Sequence, residues 1–261
     1  MNIALLAGLT LPFIGTMTGA AFVWFIRGRI SPKLNKSLLG FASGVMVAAS
    51  VWSLLIPSIE MAGGENNRWS ILPAAVGLAL GMIFLLYIDR VTPHLHQGSD
   101  TPEGPRSRLS RTAMTSLAVT IHNLPEGMAV GVVLAGLLDN APDISTASAI
   151  ALSVGIAIQN IPEGAIVALP MHSEGASKGK SFTIGALSGI VEPIGAGLVI
   201  LLAGVLGPVI PYMLAFAAGA MLYVVIEDLI PEASQAPHSN HSTIGFALGF
   251  ILMMVLDVIL G

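Results

Sequence analysis

Eight long apolar runs constrain the fold of this 261-residue chain more than any other feature. A helix needs about 20 apolar residues to cross the hydrocarbon core of a bilayer. Continuous apolar runs lack the alternation that the strands of a membrane barrel need. The chain is therefore predicted to be an all-α integral membrane protein, with one transmembrane domain over 1–261. The predicted helices, numbered 1–8 in chain order, are 4–26, 37–60, 71–90, 112–137, 145–170, 182–206, 209–231 and 242–260.

The composition agrees with lipid as the surrounding solvent. Hydrophobic residues make up 54% of the chain and charged residues 10%, whereas soluble domains carry about 25% charged residues. The absence of cysteine excludes disulfides and thiolate metal sites. Glycines spaced four apart predict close contacts between helix backbones in the membrane. These pairs are Gly15/Gly19, Gly40/Gly44, Gly77/Gly81, Gly185/Gly189 and Gly245/Gly249.

Lysine and arginine lie almost entirely on one face of the predicted bundle. Ten of the eleven occupy loops 1–2, 3–4 and 5–6 or the adjoining helix ends, and Arg68 alone lies on the opposite face. The positive-inside rule places the basic loops in the cytoplasm and both termini outside it. The prediction is a multi-pass protein of the plasma or inner membrane, with the cytoplasmic loop 91–111 bearing His94 and His96.

Two related polar motifs interrupt the apolar helices near mid-membrane. Helix 4 contains His-Asn-Leu-Pro-Glu-Gly at 122–127, and helix 5 contains Gln-Asn-Ile-Pro-Glu-Gly at 159–164. Helix 6 adds a third central carboxylate, Glu192. Ionisable groups at the bilayer centre cost about 2.5–3.5 kcal/mol each, and no Lys or Arg lies at that depth to pair with them. Cation binding explains why the carboxylates cluster.

The spacing within each motif places the polar side chains on one helix face. His122 and Glu126 are four residues apart, as are Gln159 and Glu163, so each pair projects from the same side of its helix. Two facing helices could supply an imidazole, two carboxylates and amide oxygens to one or two metal ions. Imidazole with carboxylate suits zinc, iron or manganese better than calcium.

These motifs resemble the signature of the ZIP family of metal transporters, the zinc–iron permeases. The resemblance implies a 3+2+3 arrangement in which helices 1–3 and 6–8 are inverted repeats. A trace of the repeat pairs Ala42–Met46 and Leu55–Pro57 with Ala217–Met221 and Leu229–Pro231. The resemblance also implies a homodimer, with the glycine-rich helix 3 as a contact face.

By the same resemblance, the centre holds up to two metal ions. One site would use His122, Glu126, Gln159 and Glu163; the second would use Asn123, Glu126, Asn160, Glu163 and Glu192. Secondary positions along the path are His172 after helix 5, Met46 as a thioether ligand, and an exit group of Asp89, His94, His96, Glu227 and Asp228.

The predicted function is inward transport of a divalent transition metal by alternating access. Zinc is the first choice as the bound substrate, with iron, manganese and cadmium as alternatives. The resemblance implies that helices 1, 4, 5 and 6 move together against helices 2, 3, 7 and 8. The sequence has no phosphate-binding Gly-rich loop, which disfavours a nucleotide-driven pump. Neither an organic cofactor nor a nucleic-acid partner is expected. The alternative is a metal-dependent intramembrane hydrolase, which would want a His-Glu-x-x-His motif that the chain lacks.

Overall fold

The structure, a computed structural model, describes residues 3–26, 31–64, 67–95, 101–141, 144–206 and 209–260. Within these ranges all regular elements are helical, and eight helices are long and apolar enough to cross a membrane. The prediction of an all-α, eight-span protein is confirmed. The helices are α1 (Ile3–Ala21, then Phe22–Trp24), α2 (Pro32–Ala49, Ser50–Leu55 and Ile56–Met61), α3 (Ile71–Val91), α4 (Arg111–Leu138), α5 (Thr146–Ser173), α6 (Lys178–Ser188 and Val191–Leu206), α7 (Ile210–Val224, Val225–Leu229 and Ile230–Ala233) and α8 (His241–Leu260).

Two helices begin earlier than hydropathy predicts, because their first turns are polar. α2 begins at Pro32 and not at 37, since the Ser31 hydroxyl accepts a hydrogen bond from the Leu34 N–H at 3.3 Å. Proline suits the first helical position, where its missing N–H has no cost. α6 begins at Lys178 and not at 182, capped in the same way by Ser177. Capping residues therefore set these boundaries, not the apolar run.

α6 is a broken helix whose second half starts at mid-membrane. Its first segment ends at Ser188, Gly189 and Ile190 form a turn, and helix resumes at Val191. Glu192 thus lies in the first turn of the second segment. The N-terminal end of a helix carries partial positive charge and favours a carboxylate. This break gives the third central glutamate a favourable backbone setting inside the membrane.

α2 and α7 share the same irregularity at equivalent points of the proposed repeat. Each changes to a π-helical turn, Ser50–Leu55 in α2 and Val225–Leu229 in α7, immediately before an Ile-Pro pair. A proline inside a helix removes one backbone hydrogen bond and crowds the preceding turn. The wider turn accommodates it in both helices, so the sequence repeat is also a structural repeat.

The packing of the helices has the symmetry that inverted repeats require. The four most extensive helix contacts are α1 with α5, α2 with α8, α3 with α7, and α4 with α6. In the proposed repeat, helices 1, 2 and 3 correspond to helices 6, 7 and 8, and helix 4 corresponds to helix 5. Under this correspondence the α1–α5 contact is equivalent to the α6–α4 contact, and the α2–α8 contact to the α7–α3 contact. Smaller contacts of α6 with α1 and α5 join the first and fourth pairs into one set, and contacts of α2 with α7 join the other two pairs into a second set. The two sets meet where α4 contacts α7 and α5 contacts α2 and α8.

Glycines allow the backbones within each set to approach closely. A Cβ atom on Gly15 would collide with the carbonyl of Ala157, and one on Gly81 with the carbonyl of Phe216. The five glycine pairs all meet a neighbouring helix, as the spacing predicts.

Candidate metal centre

The two motif copies meet at the middle of α4 and α5. Glu126 is fully buried between them, and its Oε1 accepts a hydrogen bond of 2.6 Å from the Gln159 Nε2. Glu163 and Glu192 lie close enough to interact electrostatically with Glu126. The fold therefore gathers the three predicted carboxylates into one buried cluster.

The asparagine side chains are oriented by their NH2 groups. Asn123 Nδ2 donates to Glu192 Oε1 at 3.1 Å and to the Ser188 carbonyl at 3.3 Å. Asn160 Nδ2 donates to the carbonyl of Pro12 in α1 at 3.4 Å. Protein acceptors therefore take up the NH2 groups of both asparagines.

Six buried oxygens of this cluster have no hydrogen-bond partner among the described residues. They are Asn123 Oδ1, Glu126 Oε2, Gln159 Oε1, Asn160 Oδ1, Glu163 Oε2 and Glu192 Oε2. Buried polar atoms are nearly always hydrogen-bonded, so such a concentration needs an explanation. The sequence has no Lys or Arg between 112 and 177. Carboxylate and amide oxygens without a basic partner suit a divalent cation.

His122 connects this cluster to the other set of helices. Its Nε2 lies 2.8 Å from Asp228 Oδ2 on the π-helical turn of α7. The sequence placed Asp228 in a separate exit group, but the fold brings it against the first residue of the α4 motif. The contact bridges the two helix sets at the level of the carboxylate cluster.

An inner cavity of about 230 Å³ leads from the cluster to the face that bears the basic loops. His122, Glu163 and Asp228 line its deep end, and Glu103 and Gln235 belong to its mouth. Most of its wall comes from α4 and α7. The buried cluster thus has a polar route to one membrane face.

Comparison with known proteins decides the family. Residues 103–257 match the family described as ZIP Zinc transporter. The chain is 36% identical to zinc transporter ZIP11 of Homo sapiens over 94% of each chain. It is 35% identical to zinc transporter GufA of Myxococcus xanthus, over 95% of this chain and 96% of that protein. It is also 37% identical to zinc transporter ZIPB of Bordetella bronchiseptica, over 95% of this chain and 79% of that one.

The chain belongs to the ZIP family. The resemblance carried by the two motifs and Glu192 is thereby confirmed. Membership also places the chain among transporters and not among enzymes.

A second acidic cluster of this ZIP protein lies near the mouth of the inner cavity. Asp89 Oδ1 is 2.8 Å from His94 Nε2, and Tyr223 donates its hydroxyl to Asp89 Oδ2 at 3.1 Å. Glu103 pairs with His94 through both backbone groups, and Asp89, His94 and Glu103 offer ligand atoms within 4.8 Å of one another. The sequence indicated Asp89 and His94. It missed Glu103, which the folded loop brings there, and Tyr223, which the packing of α7 on α3 brings there.

The other secondary positions have different surroundings. Glu227 lines the inner cavity beside Asp228. Met46 is fully buried in the hydrophobic core, and His172 bonds through Nδ1 to the Ala176 carbonyl at the end of α5. His172 lies nine residues beyond Glu163, about 14 Å along the helix, and the role of Met46 stays a prediction. His96 lies outside the described residues.

The opposite face of the ZIP protein has its own cavity, which we call the outer cavity, of about 320 Å³. Glu60, Ser148 and Asp257 contribute to its wall, and both oxygens of Asp257 accept from the Ser53 hydroxyl, at 2.7 and 2.9 Å. Ser148 precedes Gln159 by 11 residues, about 16 Å along a helix. The outer cavity thus ends short of the cluster. Sequence reasoning missed Asp257, although a lone acid in an apolar helix was a usable signal.

Proposed function

We propose that this protein transports zinc across the membrane through the buried cluster at the centre of α4, α5 and α6. The observation that carries the proposal is the set of six buried oxygens for which the described part of the chain offers no hydrogen-bond partner. The relatives named above are zinc transporters, which makes zinc the expected cargo. Iron, manganese and cadmium suit the same ligands and are the expected competitors. The proposed ligands are His122, Asn123, Glu126, Gln159, Asn160, Glu163 and Glu192.

The ligands divide into two halves, which supports a site for two ions. His122 and Glu163 line the inner cavity and form its cavity-facing half. Asn123, Asn160 and Glu192 are enclosed by α1 and α6 and form the enclosed half. One ion would bind His122, Glu126, Gln159 and Glu163. The other would bind Asn123, Glu126, Asn160, Glu163 and Glu192, so that Glu126 and Glu163 bridge.

We further propose that transport is inward and proceeds by alternating access. The inner cavity reaches the cluster while the outer cavity ends above it, which suits a state open to the basic face. The positive-inside rule assigns that face to the cytoplasm. Zinc would leave past Asp228 towards the Asp89–His94 pair and Glu103. Movement of α1, α4, α5 and α6 against the other set would open the outer cavity, and it would break the His122–Asp228 contact.

Family membership disfavours the hydrolase alternative, and an uptake assay tests transport directly. Purified protein in liposomes would be compared with Glu126→Gln and Glu163→Gln, with external zinc and an internal fluorescent zinc indicator. Glutamine keeps the side-chain shape but removes the charge, so we expect uptake to fall to the level of empty liposomes. The matched control is Asp139→Asn, an exposed carboxylate at the end of α4, which should transport normally. Full uptake by both glutamine variants would refute the proposal.

The orientation can be tested cleanly because the native chain has no cysteine. Arg68→Cys and Arg108→Cys introduce single thiols at exposed arginines on opposite faces. In intact cells, an impermeant thiol reagent should label the cysteine at 68 and spare the one at 108. The reverse pattern would place both termini in the cytoplasm.

The proposal includes a homodimer formed through α3. This helix exposes an apolar face of Val76, Leu80, Ile83 and Tyr87, and such a face could pack on a second copy or on lipid. A cysteine at Ile83 should crosslink copies in membranes, whereas one at Ile251 in α8, equally apolar and exposed, should not. Equal crosslinking at both positions would argue against this interface.

A further inference from the structure

Thr16 of α1 is a buried hydroxyl that contacts the metal centre from outside the two motifs. It is fully buried, and its Oγ1 donates to Glu192 Oε1 at 2.8 Å. Asn123 donates to the same oxygen. Glu192 therefore has one oxygen held by two donors, while Oε2 has no partner among the described residues.

Other threonines in the membrane helices behave differently. The hydroxyls of Thr10, Thr18 and Thr120 each donate at 2.7 Å to the carbonyl four residues earlier in their own helix. That local bond is the usual solution for a threonine inside a helix. Thr16 instead bonds to a side chain 176 positions away. The Thr16 hydroxyl is therefore oriented towards Glu192 and not towards a carbonyl of α1.

The last glycine of each motif brings one partner of this bond into place. A Cβ on Gly127 would collide with the backbone of Glu192, and a Cβ on Gly164 would collide with the carbonyl of Thr16. The first motif thus admits the backbone that carries the carboxylate. The second admits the backbone that carries the hydroxyl.

Gly189, at the break in α6, lies directly against the hydrogen bond between Thr16 and Glu192. A Cβ there would lie 2.7 Å from Thr16 Oγ1 and 2.8 Å from Glu192 Oε1. Three glycines on three helices therefore leave space for this one hydrogen bond. Such convergence indicates a constraint on where the Glu192 carboxylate points.

We propose that Thr16 is a positioning residue of the metal centre, whose hydroxyl fixes Glu192 so that Oε2 faces the ion in the enclosed half. The inference rests on the proposed function, because it assumes that Glu192 is a ligand. Partners that orient a metal ligand typically change metal affinity by about 10- to 100-fold when they are lost. Thr16 would act on zinc only through Glu192.

The test compares Thr16→Val, which keeps the shape but removes the hydroxyl, with Thr16→Ser, which keeps the hydroxyl. Thr18→Val is the matched control in the same helix. Zinc binding to the purified full-length protein would be followed by calorimetry, together with the KM of uptake in liposomes. We expect Thr16→Val to weaken one of two zinc sites by about tenfold or more and to raise KM. Thr16→Ser and Thr18→Val should match the native protein.

Thermal unfolding with and without zinc separates positioning from simple destabilisation. A ligand that binds only the folded state raises the unfolding temperature, and at a fixed ligand concentration the rise grows with the logarithm of its affinity. The zinc-induced rise should shrink in Thr16→Val, whatever its melting temperature without zinc. Gly189→Ala, which displaces the bond but keeps both partners, should reduce the same rise.

Two outcomes would overturn the inference while leaving the proposed function intact. Native zinc affinity in Thr16→Val, alongside weakened binding in Glu192→Gln, would show that Glu192 needs no help from Thr16. An equal loss in Thr16→Ser, which keeps the hydroxyl, and in Thr16→Val would show that the effect comes from side-chain packing at position 16 and not from the hydroxyl. Native binding in Glu192→Gln would instead remove Glu192 from the proposed ligand set, and the inference with it.

Discussion

The two motif copies have nearly the same sequence but connect to different parts of the molecule. His122 of the α4 copy reaches across to Asp228 on α7, in the other helix set, and lines the inner cavity. Gln159, at the matching position in α5, is fully buried and donates to Glu126 of the other copy. A repeated motif thus makes two kinds of contact, one with α7 and one within the cluster.

The two copies make different contacts because α4 and α5 have different neighbours in the helix bundle. α4 packs on α6 and contacts α7 of the other set, whereas α5 packs on α1 and contacts α2 and α8 of the other set. Both helices therefore lie at the boundary between the two sets. Within the α5 copy, Asn160 and Gly164 meet α1, through the Pro12 carbonyl and Thr16. The first residue of the α4 copy is thus an imidazole that contacts α7, and the first residue of the α5 copy is an enclosed amide.

Exchanging His122 and Gln159, the first residues of the two motif copies, should have the largest effect on zinc binding. His122→Gln should lower zinc affinity by on the order of 100-fold, because it removes the only imidazole among the seven proposed ligands. Residues that merely orient a metal ligand cost about 10- to 100-fold when they are lost, and the loss of a ligand itself should be at least as large. Gln159→His alone should not weaken binding. The double exchange should remain weak, because an imidazole at 159 cannot reach Asp228. Calorimetric zinc titration measures all three, and recovery in the double exchange would show that the copies are interchangeable.

Adding a methyl group to the motif glycines tests the second difference. Gly127→Ala and Gly164→Ala should each destabilise the protein by about 1–3 kcal/mol, as overpacking of tight contacts does. The two variants press on Glu192 and Thr16 respectively. Gly197→Ala in α6 is the control, since a Cβ there meets nothing within 4 Å. Thermal unfolding in detergent gives the comparison, and equal melting temperatures in all three would contradict the close approach.

Removing the charge of Asp228 tests the link between the α4 copy and α7. Asp228→Asn should slow zinc uptake by about tenfold, because the orientation of His122 and the next acidic group on the path are both lost. The expected signature is a lower maximal rate with modest change in zinc affinity. Glu227→Gln, on the same turn and lining the same cavity, is the matched control. Identical rates in both variants would mean that the His122 contact is unimportant.

The smallest expected effect concerns the enclosed half. Asn160→Asp adds a negative charge beside the proposed second ion and should tighten its binding by about three- to tenfold, a change of about 0.7–1.4 kcal/mol. Asn123→Asp should help less, because Asn123 already donates to Glu192 and a carboxylate there would repel it. Unchanged affinity in Asn160→Asp would show that Asn160 is not a ligand.

The sequence predicted most of what depends on local pattern. The apolar runs indicated all eight spans, and glycine spacing indicated which helix faces meet. The doubled motif with Glu192 indicated the buried carboxylate cluster that the fold assembles. The starts of α2 and α6 were placed too late, because hydropathy does not register a polar first turn capped by serine.

Long-range geometry could not be obtained from the pattern. Thr16 and Glu103 carry no local signal, since a threonine in an apolar helix and a glutamate in a loop are ordinary. Asp257 did carry a signal, as an acid within an apolar span, but its hydrogen bonds to Ser53 required the contact between α2 and α8. Met46 is buried among apolar residues, and its role as a thioether ligand stays a prediction.

The sequence by itself determined that the chain crosses the membrane eight times and carries uncompensated carboxylates at mid-membrane, because lipid permits few alternatives for such segments. The tertiary structure alone decided which copy of the motif faces α7 and which faces α1. It also decided that one hydroxyl from α1 holds the third carboxylate. Periodicity fixes which face a residue occupies, but only the packing of helices against one another fixes what that face meets.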